Sequence, residues 1–245
     1  MNGLFEIIYQ DDDLLVVNKP AGLVCHPTKS GESSSLIGRL RLLLGPERGA
    51  HLVNRLDRET SGVVLVAKNS EAAGELGKIW EARQVGKIYL AIVHGHVGPD
   101  DSIIDAPLAA DEASPVAIKD CVRPDGLPSV TEISVQRRFM REGKPFSLLR
   151  VVPRTGRKHQ IRIHLQHAGF PIVGDKLYGG DERLYLDFVK GRLTAEQRAQ
   201  LILDNHALHA VELRFVWREQ SRVFQASPEL WFLKFAQISN LKSQI

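Results

Sequence analysis

This sequence is poor in the residues that build metal sites and disulfide frameworks. Among 245 residues there are two cysteines, Cys25 and Cys121. They form no CxxC pair, so neither a zinc knuckle nor a disulfide scaffold is supported, and a reducing cytoplasm is the expected compartment. No run of about 18 apolar residues occurs, so no membrane span is expected, and the opening Met1–Glu6 lacks the basic and apolar regions of a secretory signal. The phosphate loop GxxxxGK(S/T), the dinucleotide fingerprint GxGxxG and the nucleophile elbow GxSxG are all missing, which argues against nucleotide cofactors and against the common serine hydrolases. Histidines recur at His94, His96, His159, His164 and His167, but not at the i, i+4 spacing of a zinc-binding HExxH helix, so no metal is expected. There is no internal repeat, low-complexity tract or long linker.

What is present is ordinary for a globular chain: 43% apolar and 25% charged residues. The formal net charge of +3 leans weakly towards a polyanionic partner, although local clustering matters more than the total. The length suits one large domain or two small ones. The chain is read as a single domain over 1–245.

Periodicity supplies the elements. Phe5–Tyr9 and Leu14–Asn18 flank the acidic turn Asp11-Asp12-Asp13 as a hairpin. Ser33–Ser35 precedes Leu36, Ile37, Leu40, Leu43 and Leu44 at helical spacing. Val63–Lys68 reads as a strand, Glu71–Arg83 as a helix capped by Ser70, and Lys87–His94 as a strand. Residues 100–128 read as turns and short strands rather than a domain boundary. Val130–Arg137, Ser147–Val152 and Val211–Val216 are further strands. Lys158–Ala168 fits either a strand or a helix; Gly169 immediately after it favours the helix. Thr194–Gln197 is a capping box, and Pro228 is expected at the first position of a last helix. Strand often follows strand, which suggests α+β with a mostly antiparallel sheet.

Three segments carry candidate chemistry. Asn54-Arg55-Leu56-Asp57-Arg58-Glu59-Thr60-Ser61-Gly62 puts a carboxylate between two arginines, just before an apolar strand. Asp57 could serve as nucleophile, base or metal ligand, and Arg55 and Arg58 have the planar fork that suits phosphate. Arg154-Thr155-Gly156-Arg157-Lys158-His159-Gln160-Ile161-Arg162-Ile163-His164 is a local basic patch. Its Gly156 permits close approach, and a helix starting near Lys158 would aim free N–H groups at an anion. Arg154, Arg157, Lys158 and His159 are therefore candidate contacts for a phosphate-bearing ligand, although a solvated charged face is the plain alternative. In Gly86-Lys87-Ile88-Tyr89-Leu90-Ala91, Tyr89 lies on a strand, where an aromatic is usually core.

Taken in order, these segments resemble the pseudouridine synthases of the RluA type, which modify uridines in rRNA and tRNA. The family's HRLDxxTSG loop is matched from Asn54 to Gly62, and its RTGRxHQIRxHL segment from Arg154 to Leu165. Val17–Pro27, Lys87–Gly95, Gly169–Gly179 and Ala207–Ala210 are also similar. The resemblance implies a central mixed, mostly antiparallel sheet with flanking helices and an RNA-binding cleft, and neither metal nor organic cofactor. It implies Asp57 as the catalytic aspartate, Tyr89 as the aromatic that packs on the target base and Arg162 as the basic residue that pairs with the aspartate. Arg55 would enter the RNA stack as the uridine flips out. Structured RNA is the expected partner and a monomer the expected state. Asn54 stands where the family has histidine. A small RNA-binding S4 domain precedes the catalytic one in many relatives; here the family-like strands begin by residue 6, so the catalytic domain alone is expected. Two other readings stay open: a non-catalytic RNA-binding module, which Asn54 supports, and an acid–base hydrolase using Asp57 and His159.

Overall fold

A computed structural model describes residues 5–27, 31–45 and 49–238. In chain order the elements are β1 (Glu6–Gln10), β2 (Leu14–Lys19), α1 (Leu36–Leu44), β3 (His51–Leu52), β4 (Ser61–Ala67), α2 (Ser70–Glu81), β5 (Val85–His94), β6 (Asp101–Asp105), β7 (Leu108–Ala110) and β8 (Asp120–Val122). They continue with β9 (Val130–Arg141), β10 (Lys144–Pro153), α3 (Gln160–His167), α4 (Arg183–Val189), α5 (Ala195–Leu201), β11 (Leu208–Trp217), β12 (Gln220–Gln225) and α6 (Leu230–Ala236). The fold is α+β, and its strands pair mostly antiparallel. The chain forms two compact units: residues up to Ile88 with His209–Leu233, and Tyr89–Leu208 with those from Lys234 on.

In the first unit β1, β2 and β4 are antiparallel neighbours, β11 runs parallel to β4, and β12 closes a hairpin on β11. All seven residues of β4 are buried, as expected of a strand covered on both faces. Gly62 is required where β4 meets β11: its φ is +118°, and a Cβ there would fall on the backbone of Ala210. The core packs Leu14, Val16, Val63, Leu65, Leu76, Leu213, Phe215, Trp217 and Phe224 together. The expected turn at Asp11–Asp13 holds, with Asp11 Oδ1 accepting from the N–H groups of Asp13 and Leu14. In the second unit β10 lies between β5 and β9, β6 flanks β9, and β7 with β8 forms a separate ribbon.

Several expected boundaries move, each for a local reason. Asn69, not Ser70, caps α2, because its Oδ1 accepts from the N–H of Ala72 at 2.8 Å from an extended backbone. The last helix starts after Glu229 rather than at Pro228: the Glu229 carbonyl accepts from Phe232 and Leu233, while its side chain is drawn to the N–H of Ala21. Leu43, at a helical core position of α1, is 53% exposed. The capping box at Thr194 and Gln197 is present on both sides. The ambiguous segment is a helix, α3, with Gly169 at φ +84° just past its end.

Candidate active site

The Asp57 loop is fixed by backbone bonds to the turn that follows β2. Lys19 has no exposed surface, and its Nζ donates to the carbonyls of Pro20, Leu23 and Arg58 at 2.9, 2.8 and 3.1 Å. The N–H of Gly22 donates to the same Arg58 carbonyl at 2.8 Å, and Arg58 Nε donates back to the Gly22 carbonyl at 3.2 Å. Burial depresses the Lys19 ammonium to about 8, with Cys25, Asp57 and Glu229 opposing that fall by attraction. The Asp57 carboxylate thus helps retain the Lys19 proton. On the other side, the Cys25 thiol meets both the N–H and the carbonyl of Leu56 at 3.4 Å. The Thr60 N–H closes the turn onto the Asp57 carbonyl.

Asn54 spans the end of this loop and β4. Its Oδ1 accepts from the N–H of Leu65 at 2.7 Å, and its Nδ2 donates to the Val63 carbonyl at 3.2 Å. The amide therefore reproduces a strand pairing and acts as a positioning group. Ser61, the first residue of β4, meets His209 Nδ1 at 2.9 Å, and His209 Nε2 lies 3.0 Å from the Ala226 carbonyl. The carbonyl requires a proton on Nε2, so Nδ1 accepts from the serine hydroxyl. Burial holds the imidazole down to about 4, which keeps it neutral. Asp57 is half-buried, and Arg55 and Arg58 are exposed beside it.

In the second unit, Arg162 is 6% exposed and forms a two-point pair with Asp175, Nε–Oδ2 at 2.7 Å and Nη2–Oδ1 at 2.9 Å. Asp175 also accepts from the N–H groups of Leu177 and Tyr178. Burial opposes its charge, but the Arg162 guanidinium and these donors hold the carboxyl well below its ordinary range. Sequence reasoning did not single out Asp175; Gly174-Asp175-Lys176 was visible only as part of the family-like continuation.

The basic patch divides into structural and outward residues. Gln160, the first residue of α3, receives bonds from the Thr155 hydroxyl and the Arg157 N–H, and donates to Val130 and Thr131. His164 is buried, with Nδ1 on the Thr131 hydroxyl and Nε2 on the Ala106 carbonyl. The helix begins at Gln160, after a left-handed His159 at φ +55°, rather than near Lys158. Arg154 and Lys158 are exposed and pair with Glu132 and Asp120. Arg157 Nε is buried with no hydrogen-bond partner among the described residues, a cost that a bound acceptor would remove. Tyr89 is half-buried on β5, opposite Val151 of β10.

Residues 13–167 match the family model described as RNA pseudouridylate synthase. The chain belongs to that family. It is 37% identical over 212 residues to the dual-specificity RNA pseudouridine synthase RluA of Vibrio parahaemolyticus, covering 86% of this chain and 77% of the relative. It is 39% identical over 210 residues to ribosomal large subunit pseudouridine synthase C of Pasteurella multocida, of which it spans 60%. Among solved structures, human RNA pseudouridylate synthase domain containing 1 superposes with a TM-score of 0.74 at 27% identity, over 96% of this chain and 88% of that one. The family's enzymes are isomerases, and the α+β architecture agrees with theirs. Among the described residues no cluster of three or more His, Cys, Asp or Glu could hold a metal ion, and no helix is long and apolar enough to cross a membrane.

Proposed function

We propose that this chain converts particular uridines of structured ribosomal or transfer RNA to pseudouridine, as a cytoplasmic monomer, with Asp57 as the reacting carboxylate. The observation that carries the reading is the family match together with the way the Asp57 loop is held. Lys19, Gly22, Cys25 and Asn54 fix the backbone on either side of Asp57, leaving a half-buried carboxylate flanked by two exposed arginines. Rigid support of this kind is what a catalytic group needs.

The reaction breaks the C1′–N1 bond of uridine and forms a C1′–C5 bond to the same uracil after it turns. The C5 proton leaves and N1 gains one, so the nucleotide keeps its composition and no water or redox partner is consumed. A stacked uridine cannot offer its glycosidic bond to a carboxylate, so it must first be extruded, at a cost of a few kcal/mol. Arg55, exposed beside Asp57, is the group that would fill the vacated stack. Tyr89 is the aromatic for the target base and Arg162 the basic residue of the reaction. Arg58, Arg154, Arg157, Lys158 and His159 contact the RNA. Asn54 no longer favours a non-catalytic binder, because its amide serves the loop backbone.

The test is a pseudouridine map of total RNA from cells with and without the gene. Deletion should remove at least one pseudouridine. Wild type should restore it and Asp57→Asn should not, while the variant still binds RNA in a filter assay. An unchanged map, or restoration by Asp57→Asn, overturns the reading.

A further inference from the structure

Two carboxylates sit on the exposed cations of the basic segment. Arg154 follows β10, and Glu132 of the neighbouring β9 meets it at two points, Nε–Oε1 and Nη2–Oε2, both at 2.7 Å. Lys158 Nζ lies 3.0 Å from each carboxylate oxygen of Asp120 on β8. Folding does not require either pair: the Arg154 and Lys158 side chains are 60% and 46% exposed, and exposed pairs add little to stability. Between the two cations in sequence, Arg157 has a buried Nε with no hydrogen-bond partner among the described residues, a donor that a phosphate oxygen would satisfy. A carboxylate on the Nε–Nη2 edge of a guanidinium presents the two-oxygen fork that a phosphate presents, so the two ligands compete for that edge.

We propose that Glu132 and Asp120 stand in for RNA phosphates at Arg154 and Lys158, and that an RNA must displace them to reach those cations. They are affinity-setting residues that make no attractive contact with RNA. Each displaced carboxylate leaves a negative charge beside the arriving phosphate, which opposes binding whatever the RNA sequence. The strength of the RNA contact at this segment is therefore set by two acidic side chains on neighbouring strands as well as by the basic residues. The inference rests on the proposed action on RNA, but the competition itself is read from binding, without turnover.

The probe is poly(A), which contains no uridine, bound to the full chain in a filter assay at about 50 mM salt. Glu132→Gln and Asp120→Asn should each tighten binding by about 3- to 10-fold and steepen the slope of log affinity against log salt by about one. Glu142→Gln, at the far end of the β9–β10 hairpin, adds the same charge about 30 Å along the strand and should change affinity by less than about twofold. In an Arg154→Ala background, Glu132→Gln should matter by less than about twofold. Unchanged or weaker binding in both carboxylate variants overturns the proposal. So does tightening that survives Arg154→Ala or that Glu142→Gln reproduces, and so does a failure of every variant to bind poly(A). Turnover is read as tritium released from uracil C5, using labelled RNA from cells lacking the gene. The double variant Glu132→Gln, Asp120→Asn should lower KM by about tenfold without raising kcat; an unchanged KM overturns the proposal. If wild type releases no tritium, the proposed function fails, while poly(A) binding still decides whether the carboxylates compete.

Discussion

The Asp57 loop and the Arg154–His164 segment are both short basic stretches, yet they are held by opposite means. The loop is tied through its backbone: carbonyls of Pro20, Leu23 and Arg58 converge on one buried ammonium, and the Asn54 amide pairs with a strand. The helix-starting segment is tied through side chains, with Gln160, His164 and Arg162 each bonded at two or more points. Backbone anchoring leaves Arg55 and Arg58 exposed and Asp57 half-buried. Side-chain anchoring spends polar groups on structure and leaves Arg154 and Lys158 exposed, each paired with a surface carboxylate. The clearest way to break this contrast is to remove one charge from each region.

Asp175→Asn should have the larger effect. It removes the carboxylate that meets the buried Arg162 guanidinium at two points, and breaking a buried pair typically destabilises by about 3–5 kcal/mol. Because the folded carboxyl titrates below its ordinary value, the stability it contributes is complete above about pH 4 and is lost only as pH falls further. Denaturant titrations of wild type and variant should therefore differ fully at pH 7 and converge below pH 4; a constant gap down to pH 2 contradicts the pairing.

His209 gives the first unit a comparable handle through pH. Its folded value of about 4 lies below the ordinary 6.5, so the unfolded chain binds more protons between those limits. Stability should fall by up to about 3 kcal/mol as pH drops from 6.5 to 4. His209→Asn should remove most of that slope, and an unchanged slope would mean that the imidazole is not held neutral.

Lys19→Met should cost less than Asp175→Asn, about 1–3 kcal/mol at pH 7, because the lost bonds are offset by not having to bury an ammonium. Folding lowers the Lys19 value from 10.5 to about 8, so wild type should gain stability as pH rises between the two and the variant should not. A Lys19→Met loss larger than that of Asp175→Asn would reverse the comparison.

Much of this arrangement was legible in the sequence. The Asp57 loop before an apolar strand, the hairpin turn at Asp11–Asp13 and the capping box at Thr194 follow from local rules that tertiary packing did not override. What was hidden depends on distant partners. The β11–β12 hairpin turns on Arg218 and Glu219, both at positive φ, where the usual signal is Asn-Gly. Arg218 is held there by Glu75, Asp13 and the face of Trp217, none of which is adjacent in sequence except the last. Asp175 was likewise unremarkable until the fold brought Arg162 to it.

The smallest expected effect sharpens the comparison from the outward-facing side. Arg154 is 60% exposed at its side chain and pairs with Glu132 at the surface, where such pairs contribute about 0–1 kcal/mol. Arg154→Ala should leave stability within that range. If Arg154 contacts a phosphate, RNA binding should weaken by a similar factor for every RNA tried, and the slope of log affinity against log salt should fall by about one. A stability loss approaching that of Asp175→Asn would place Arg154 among the structural residues of its segment. An unchanged salt slope would remove it from the RNA contacts, leaving Lys158 and Arg157 to supply the charge there.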